Sequence, residues 1–534
     1  MSEKNYERFN KNIDFSVYDH IVVGSGIGGL TAATWLAKSG KKVAVFERHY
    51  VPGGFTHSFK RKGGFQWDVG VHYVGNLGED DSLIGMFNFL TDGKLEWESM
   101  GEVYDVIYIG DKRFELKAGK ENFRKQLISY FPEEEKAIND YLTLIEKSNK
   151  RGRMFFFEKV FEPWLSASLG KVIRRRYTRY SQKTTWEVLN ELTSNKLLIA
   201  VLCGQCGNYG LSPKFSSFGA HAMVIAHFME GGYYPKGGAD QICFKTIDVL
   251  NSLGSKVFIN ADVQEIIVEN NQVKGVKIDD TIIKSKSVIS NVGVNNTFNY
   301  LLSESVRKRC NFNLKGVQPA VGHICLYIGL SKSSEELNLP KHNVWCYANE
   351  NTDELIEEST LADTANNFAY ISFPSAKDSQ WNITNPGTST IQAISAAKYD
   401  WFKAYENQPW MKREDVYKKM KTDFEVSMLN RLYKLFPQIE GHIQVTEVST
   451  PLSTKQFSNY KNGEIYGLAH SPDRFKLPFL RPKTKIKGLK LAGQDITLVG
   501  VSGAMLSGIL CATTILKVKS WRLFKAVNDA KELK

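Results

Sequence analysis

"HIVVGSGIGGLTAATWLAKSGKKVAVFE", residues 20–47, is the stretch that decides the fold. "HIVVG" (20–24) is a short apolar run ending at glycine, the pattern of a buried strand. From Ile27 to Ser39 the spacing turns helical, with Leu30, Ala33 and Ala37 recurring on one face and Gly40 placed where a helix ends. "KKVAVFE" (41–47) is a second buried strand closing on Glu47, 23 residues after Gly24. Each part has a physical task. Gly24 makes the tight turn, Gly26 lets backbone approach a pyrophosphate, and Gly29 lets the helix pack closely on the strand. The helix N-terminus favours negative charge, and Glu47 can accept ribose hydroxyls. A glycine triplet alone is weak evidence, but strand, helix, strand and acid together define a dinucleotide-binding unit.

The rest of the 534-residue chain has ordinary globular composition: 42% hydrophobic, 24% charged, no low-complexity tract and no short repeat. Its first residues, "MSEKNYERFNKNIDFS", are polar and do not resemble a secretory signal. No run of about 18 apolar residues is visible, so no spanning helix is expected. The expected location is cytoplasmic, free or peripheral on the inner face of the membrane. Seven scattered cysteines fit reduced, buried thiols better than a disulfide framework. The net charge of +12 fits an anionic partner, and with no nucleic-acid motif beside it, membrane attraction is favoured over nucleic acid.

A second cofactor-like stretch lies near the other end: "KGLKLAGQDITLVGVSGAMLSGIL" (487–510), a strand, a turn and a helix rich in small residues. One ligand touched by both ends of the chain is long, which suits an extended FAD better than NAD. No second glycine fingerprint follows a strand, so NAD(P)H is left as an external electron donor.

These segments also carry a family resemblance. The Glu47–Arg48…Gly53–Gly54 element, the Gly64…Asp68…Gly70…His72 element and the terminal "AGQD" resemble the phytoene desaturase and carotenoid isomerase family of amine-oxidase-like flavoproteins. "GNYGLSPKFSSFGAHAMVIAHFMEGGYYPKGGADQI" (207–242) and "YGLAHSPDRF" (466–475) narrow the likeness to its retinol saturase branch. The resemblance runs from about residue 18 to 517 and is loose over 300–450. It implies non-covalent FAD, with Gly24, Gly26, Gly29, Glu47, Arg48, Gly53 and Gly54 at the pyrophosphate and ribose. Val263 would meet adenine with its backbone; Gly493, Asp495 and Ser502–Gly503 would serve the flavin end.

The expected fold is α/β: a discontinuous Rossmann-like FAD-binding domain with an inserted α+β substrate domain. The expected pieces are 1–78, 231–297 and 466–534 for the first, and 79–230, mainly helical, and 298–465 for the second. Residues 151–180, "RGRMFFFEKVFEPWLSASLGKVIRRRYTRY", set bulky apolar side chains before Arg174–Arg176 and Arg179. Such a segment either dips into an anionic lipid surface or packs as a lid helix with a solvated basic end. The basic tail 517–534 carries the same two readings.

The resemblance implies a hydrophobic polyene or isoprenoid substrate and chemistry at a carbon–carbon double bond, most like saturation of all-trans-retinol at its 13,14 bond. Isomerisation or desaturation of a carotenoid is the alternative within enzymes; a flavin-free prenyl-lipid carrier is the alternative outside them. Saturation needs a proton as well as a hydride. His72, Tyr73 and Tyr233 are the candidate donors, each against the plainer role of bonding the fold. "CGQC" (203–206) lacks a second cysteine pair, and His221 and His227 do not share a helix face, so no metal site is expected.

Overall fold

The computed structural model describes residues 5–78, 82–310 and 312–532, so the expected 78/79 boundary lies partly outside the described residues. A six-stranded, wholly parallel sheet runs in the order Glu7–Arg8, Lys256–Ile259, Val43–Phe46, His20–Val23, Val288–Ser290, Leu489–Leu491. Parallel neighbours need crossovers, and the first is the helix Ile27–Lys38, buried at every residue but its last. Gly40, at φ 88°, ends it in the left-handed conformation that glycine adopts without penalty. Strands from three well-separated stretches of chain therefore share one sheet, which is the Rossmann-like architecture expected from the sequence.

On its other face the helix Ile27–Lys38 meets the helix Gly500–Leu516. The approach is so close that a Cβ at Gly508 would lie 2.3 Å from the Gly28 carbonyl oxygen. Small residues on both helices make this possible, and it brings the two ends of the chain together. The stretch Gly500–Glu532 is long and apolar enough to cross a membrane, yet 56% of its apolar window is buried in the protein interior. The helix also breaks at Lys517, φ 53°, and restarts at Ser520. It is packed as a core helix.

The intervening stretches build a seven-stranded sheet, in the order Ile443–Ser449, Gly322–Leu330, Ser389–Ala397, Phe368–Ser372, Asn343–Tyr347, Val103–Ile109, Lys112–Lys117. Beside its helices the stretch 79–230 contributes two strands to this sheet and a third, Trp97–Ser99, that pairs with Tyr233–Pro235. One face of this sheet, with Ile324, Leu326 and Ile371, packs in a core with Phe424, Met428 and Leu432 of the helix Asp415–Leu435. Successive side chains alternate between faces. The opposite face therefore carries His323, Tyr327, Ile394, Tyr370, Phe368 and Trp345, and these line a cavity.

Candidate functional site

That cavity, about 940 Å³, runs from the glycine loop of the parallel sheet to the inner face of the seven-stranded sheet. It lies at the upper end of the ~300–1,000 Å³ usual for ligand sites. At its first end Gly24 takes φ 92° and Gly26 caps the first helix. A Cβ on Gly29 would lie 2.3 Å from the Gly24 carbonyl oxygen, so the helix can start where it does only with glycine there. Gly29 does not line the cavity; Gly24, Gly26 and Gly28 do.

Glu47 is buried and lines the cavity. Its Oε2 accepts from the Ser25 amide at 2.9 Å and the Ser25 hydroxyl at 2.6 Å, and its Oε1 from the His49 amide at 2.9 Å. Ser25 Oγ in turn accepts from the Gly53 amide at 3.0 Å. The Gly53–Gly54 turn, at φ 113° and 56°, is thereby drawn back over the loop, where a Cβ on Gly54 would sit 3.0 Å from Gly26 Cα. Arg48 and Val263 line the same end; Arg48 pairs with Asp262 at 3.5 Å.

Sequence reasoning missed Ser25 and Asn291. Asn291 donates to the Gly24 and Gly26 carbonyls at 3.3 Å, and its buried Oδ1 has no partner. Ser25 stood inside the fingerprint as an ordinary variable position. Asn291 stood in "SVISNVG" as the polar residue closing a strand, which was the available signal.

From the C-terminal stretch Gly493, Gln494, Gly500, Val501 and Ala504 line the cavity, whereas Asp495, Ser502 and Gly503 do not. Both Asp495 oxygens are taken by backbone, accepting from Leu468 and Val294 amides at 2.9 Å each. Asp495 thus ties two loops at the rim instead of presenting a free carboxylate.

The three candidate proton donors separate. His72 lines the cavity. Tyr73 lies outside its lining, stacked on Phe228 at 4.1 Å, with its hydroxyl donating to Asp105 at 2.9 Å. Tyr233 belongs to the short strand Tyr233–Pro235 and also stands outside the lining. Asp105 further accepts from Gln205 at 2.6 Å and from Asn343 at 3.0 Å. Asn343 Oδ1 accepts from the buried Lys377 ammonium, which also donates to the His72 carbonyl at 3.0 Å and the Ser372 hydroxyl at 2.8 Å. Burial raises the Asp105 carboxyl to about 6 and lowers Lys377 to about 7. Burial, then the nearby Lys377 charge, pushes the His72 imidazole down to about 3, so it is neutral at pH 7.

Cys203 and Cys206 are buried, and burial raises both thiols, Cys206 to about 12. His221 bonds Tyr141 and Tyr209, and His227 accepts from the Gly75 amide, so both serve the core.

Residues 22–90 match the NAD(P)-binding Rossmann-like domain family. The whole chain superposes on cyclohexylamine oxidase from Brevibacterium oxydans IH-35A with a TM-score of 0.59 at 14% identity, covering 96% of this chain and 99% of that one. Fold and cleft together define a Rossmann-like protein with a site for a flavin or dinucleotide cofactor. The chain is 33% identical to the all-trans-retinol 13,14-reductase of Danio rerio over 97% of its own length and 89% of that protein. It is 24% identical to the chloroplastic prolycopene isomerase of Daucus carota, over 93% and 79%. The chain belongs to the all-trans-retinol 13,14-reductase family.

Proposed function

We propose that the protein is an FAD-dependent reductase that saturates one carbon–carbon double bond of a polyene alcohol or related isoprenoid, all-trans-retinol being the first substrate to test. The observation that carries this is a single cavity with a dinucleotide end and an aromatic, apolar end, in a chain 33% identical to a retinol 13,14-reductase. The residues fit FAD. Glycines leave room for a pyrophosphate, Glu47 faces the cavity, and Asn291 Oδ1 is an unpartnered acceptor beside them. The lining is continuous to Gly493 and Ala504. When bound, FAD supplies a hydride that an external donor of the NAD(P)H type restores.

The chain's own residues do the rest. Trp345, Phe368, Tyr370 and Ile394 offer an apolar wall that admits a polyene and excludes water. His72 alone of the three candidates borders the cleft. Held neutral, its ring can hold and orient a polar group of the substrate by a hydrogen bond. Identity of 33% against 24% favours reduction over isomerisation. The test is to purify the protein, release and identify its flavin, and supply reductant with retinol. A product heavier by two hydrogens supports the reading; an isomer of unchanged mass overturns it.

We further propose that the segment 151–180 rests on an anionic lipid surface. Phe155, Phe156 and Tyr177 are buried in a core cluster, which leaves Phe157, Trp164, Leu169 and Val172 exposed, Trp164 at 72%. Arg174 is held by the buried Glu158, while Arg175, Arg176 and Arg179 are exposed. Exposed Val518 and Trp521 of the tail are the same kind of side chain. Apolar side chains beside free arginines suit a headgroup layer.

A further inference from the structure

The inner wall of the cavity holds polar atoms that the protein itself leaves unsatisfied. His323 and Tyr370 are only 7% and 5% exposed, yet His323 Nδ1 and the Tyr370 hydroxyl make no hydrogen bond. His72 Nδ1 is buried as well, and the Gln392 side chain stands near it, outside good hydrogen-bond geometry. All three residues line the cavity. They belong together: the His72 and Tyr370 rings stand 5.3 Å apart. His323 and Tyr370 lie on the same face of the seven-stranded sheet, on either side of the strand Ser389–Ala397, opposite Ala396 and Ile394 respectively. Ser372, the neighbouring side chain that bears on the phenol, is already engaged by Lys377 and makes no well-formed hydrogen bond to it. Around them the wall is apolar, with Trp345, Phe368 and Ile394.

A buried donor or acceptor without a partner costs about 1–3 kcal/mol. Three on one wall of a ligand cavity mark the place where a ligand supplies the missing partner. Each neutral imidazole offers one donor and one acceptor, and the phenol can do either. The complement is a group that both donates and accepts, which a hydroxyl does and a carboxylate or a methyl does not.

Resting on the reading of the cavity as a polyene site, we propose that His72, His323 and Tyr370 form a subsite for the single hydroxyl of a polyene alcohol. The subsite fixes which end of the chain enters first. The enzyme thereby selects an alcohol over a hydrocarbon carotene, and it sets which double bond is presented for reduction. In retinol the 13,14 bond lies next to the carbinol carbon, so a hydroxyl-anchored chain is held by the end that reacts.

The test measures affinity without turnover. The protein as purified, with its flavin oxidised, is titrated with all-trans-retinol, with its analogue bearing CH3 in place of CH2OH, and with retinoic acid, following quenching of tryptophan fluorescence. The alcohol should bind about tenfold more tightly than the methyl analogue, the worth of one or two satisfied hydrogen bonds. Tyr370→Phe and His323→Leu should each bring that ratio towards one, and His323→Asn should restore part of it. Thermal melting and flavin content show that the variants fold. A ratio near one in the unmodified protein, an unchanged ratio in both variants, or a preference for the acid overturns the subsite and leaves the polyene reading standing. Failure of every polyene to bind overturns both.

Discussion

The cofactor end makes a strong prediction at Gly29. In Gly29→Ala the new Cβ would stand 2.3 Å from the Gly24 carbonyl oxygen, 3.0 Å from Asn291 Nδ2 and 3.1 Å from Val22 Cγ1. A relaxed carbon–oxygen contact is about 3.3 Å, so the helix start must retreat by about 1 Å. The atom in the way is backbone, in a glycine at φ 92°, and cannot rotate aside. Overpacking of this kind costs about 1–3 kcal/mol. Alanine returns about 1 kcal/mol through helix propensity, leaving a net loss of about 0–2 kcal/mol. The larger effect falls on binding. On the FAD reading proposed above, the amides of the loop are the donors aimed at the pyrophosphate, and losing one hydrogen bond to a charged group removes about 1.5–3 kcal/mol, roughly tenfold to a hundredfold in affinity. The assay is titration of flavin-stripped protein with FAD, read by quenching of flavin fluorescence, alongside urea unfolding. Gly101→Ala is the control: its glycine has φ 95° but nothing within 4 Å of the added Cβ, so it carries backbone strain without a clash. FAD affinity within twofold of the unmodified protein in Gly29→Ala would refute the close-approach argument.

Other expectations follow from the same geometry. Glu47→Gln must turn an amide N–H₂ towards the Ser25 amide or the His49 amide, so FAD affinity should fall by about tenfold in the same titration. Desolvation depresses the pKa of several histidines: His57, His227, His323 and His342 to about 4, His72 and His221 to about 3. Their stabilisation is complete above the unfolded value of 6.5 and is lost as pH falls towards 4. Asp68 and Asp105, raised to about 6, oppose this over pH 6 to 4 but are fewer. Urea midpoints should therefore drop as pH falls from 7 to 5; a flat profile would contradict the burial of these imidazoles. Lys377→Met should destabilise by about 1–3 kcal/mol, since it strips the donor from the His72 carbonyl, Asn343 and Ser372 inside the core. Trp164→Glu should weaken co-sedimentation with phosphatidylglycerol vesicles and leave the protein's urea midpoint unchanged, because the indole is exposed.

The parts of the fold governed by local rules could be read from the chain. The run from His20 to Glu47 announced strand, turn, helix and acid because each has its own spacing. Asn270 and Asn271, a residue pair suited to tight turns, join the antiparallel strands Val263–Glu269 and Gln272–Ile278, and both take positive φ, 49° and 58°. The substrate wall was harder. Strands of the seven-stranded sheet come from stretches more than 200 residues apart, and Asn343–Tyr347 pairs with Val103–Ile109 only through tertiary packing. Nothing local links Asp105 to Asn343. Tyr73 looked like a donor because it follows the family-like glycine loop, but its ring packs on Phe228 and its hydroxyl donates to Asp105, outside the cavity lining. His323 carried a signal that went unused: a histidine inside nine consecutive buried strand residues needs a partner, and this one has none in the protein.

The most direct measurement of the central claim is a single turnover. The FAD-loaded protein is reduced stoichiometrically without oxygen, all-trans-retinol is added, and flavin absorbance and product mass are followed together. Reoxidation of the flavin in step with one equivalent of a product two hydrogens heavier is the predicted result. Flavin that stays reduced while retinol is unchanged or merely isomerised would contradict it.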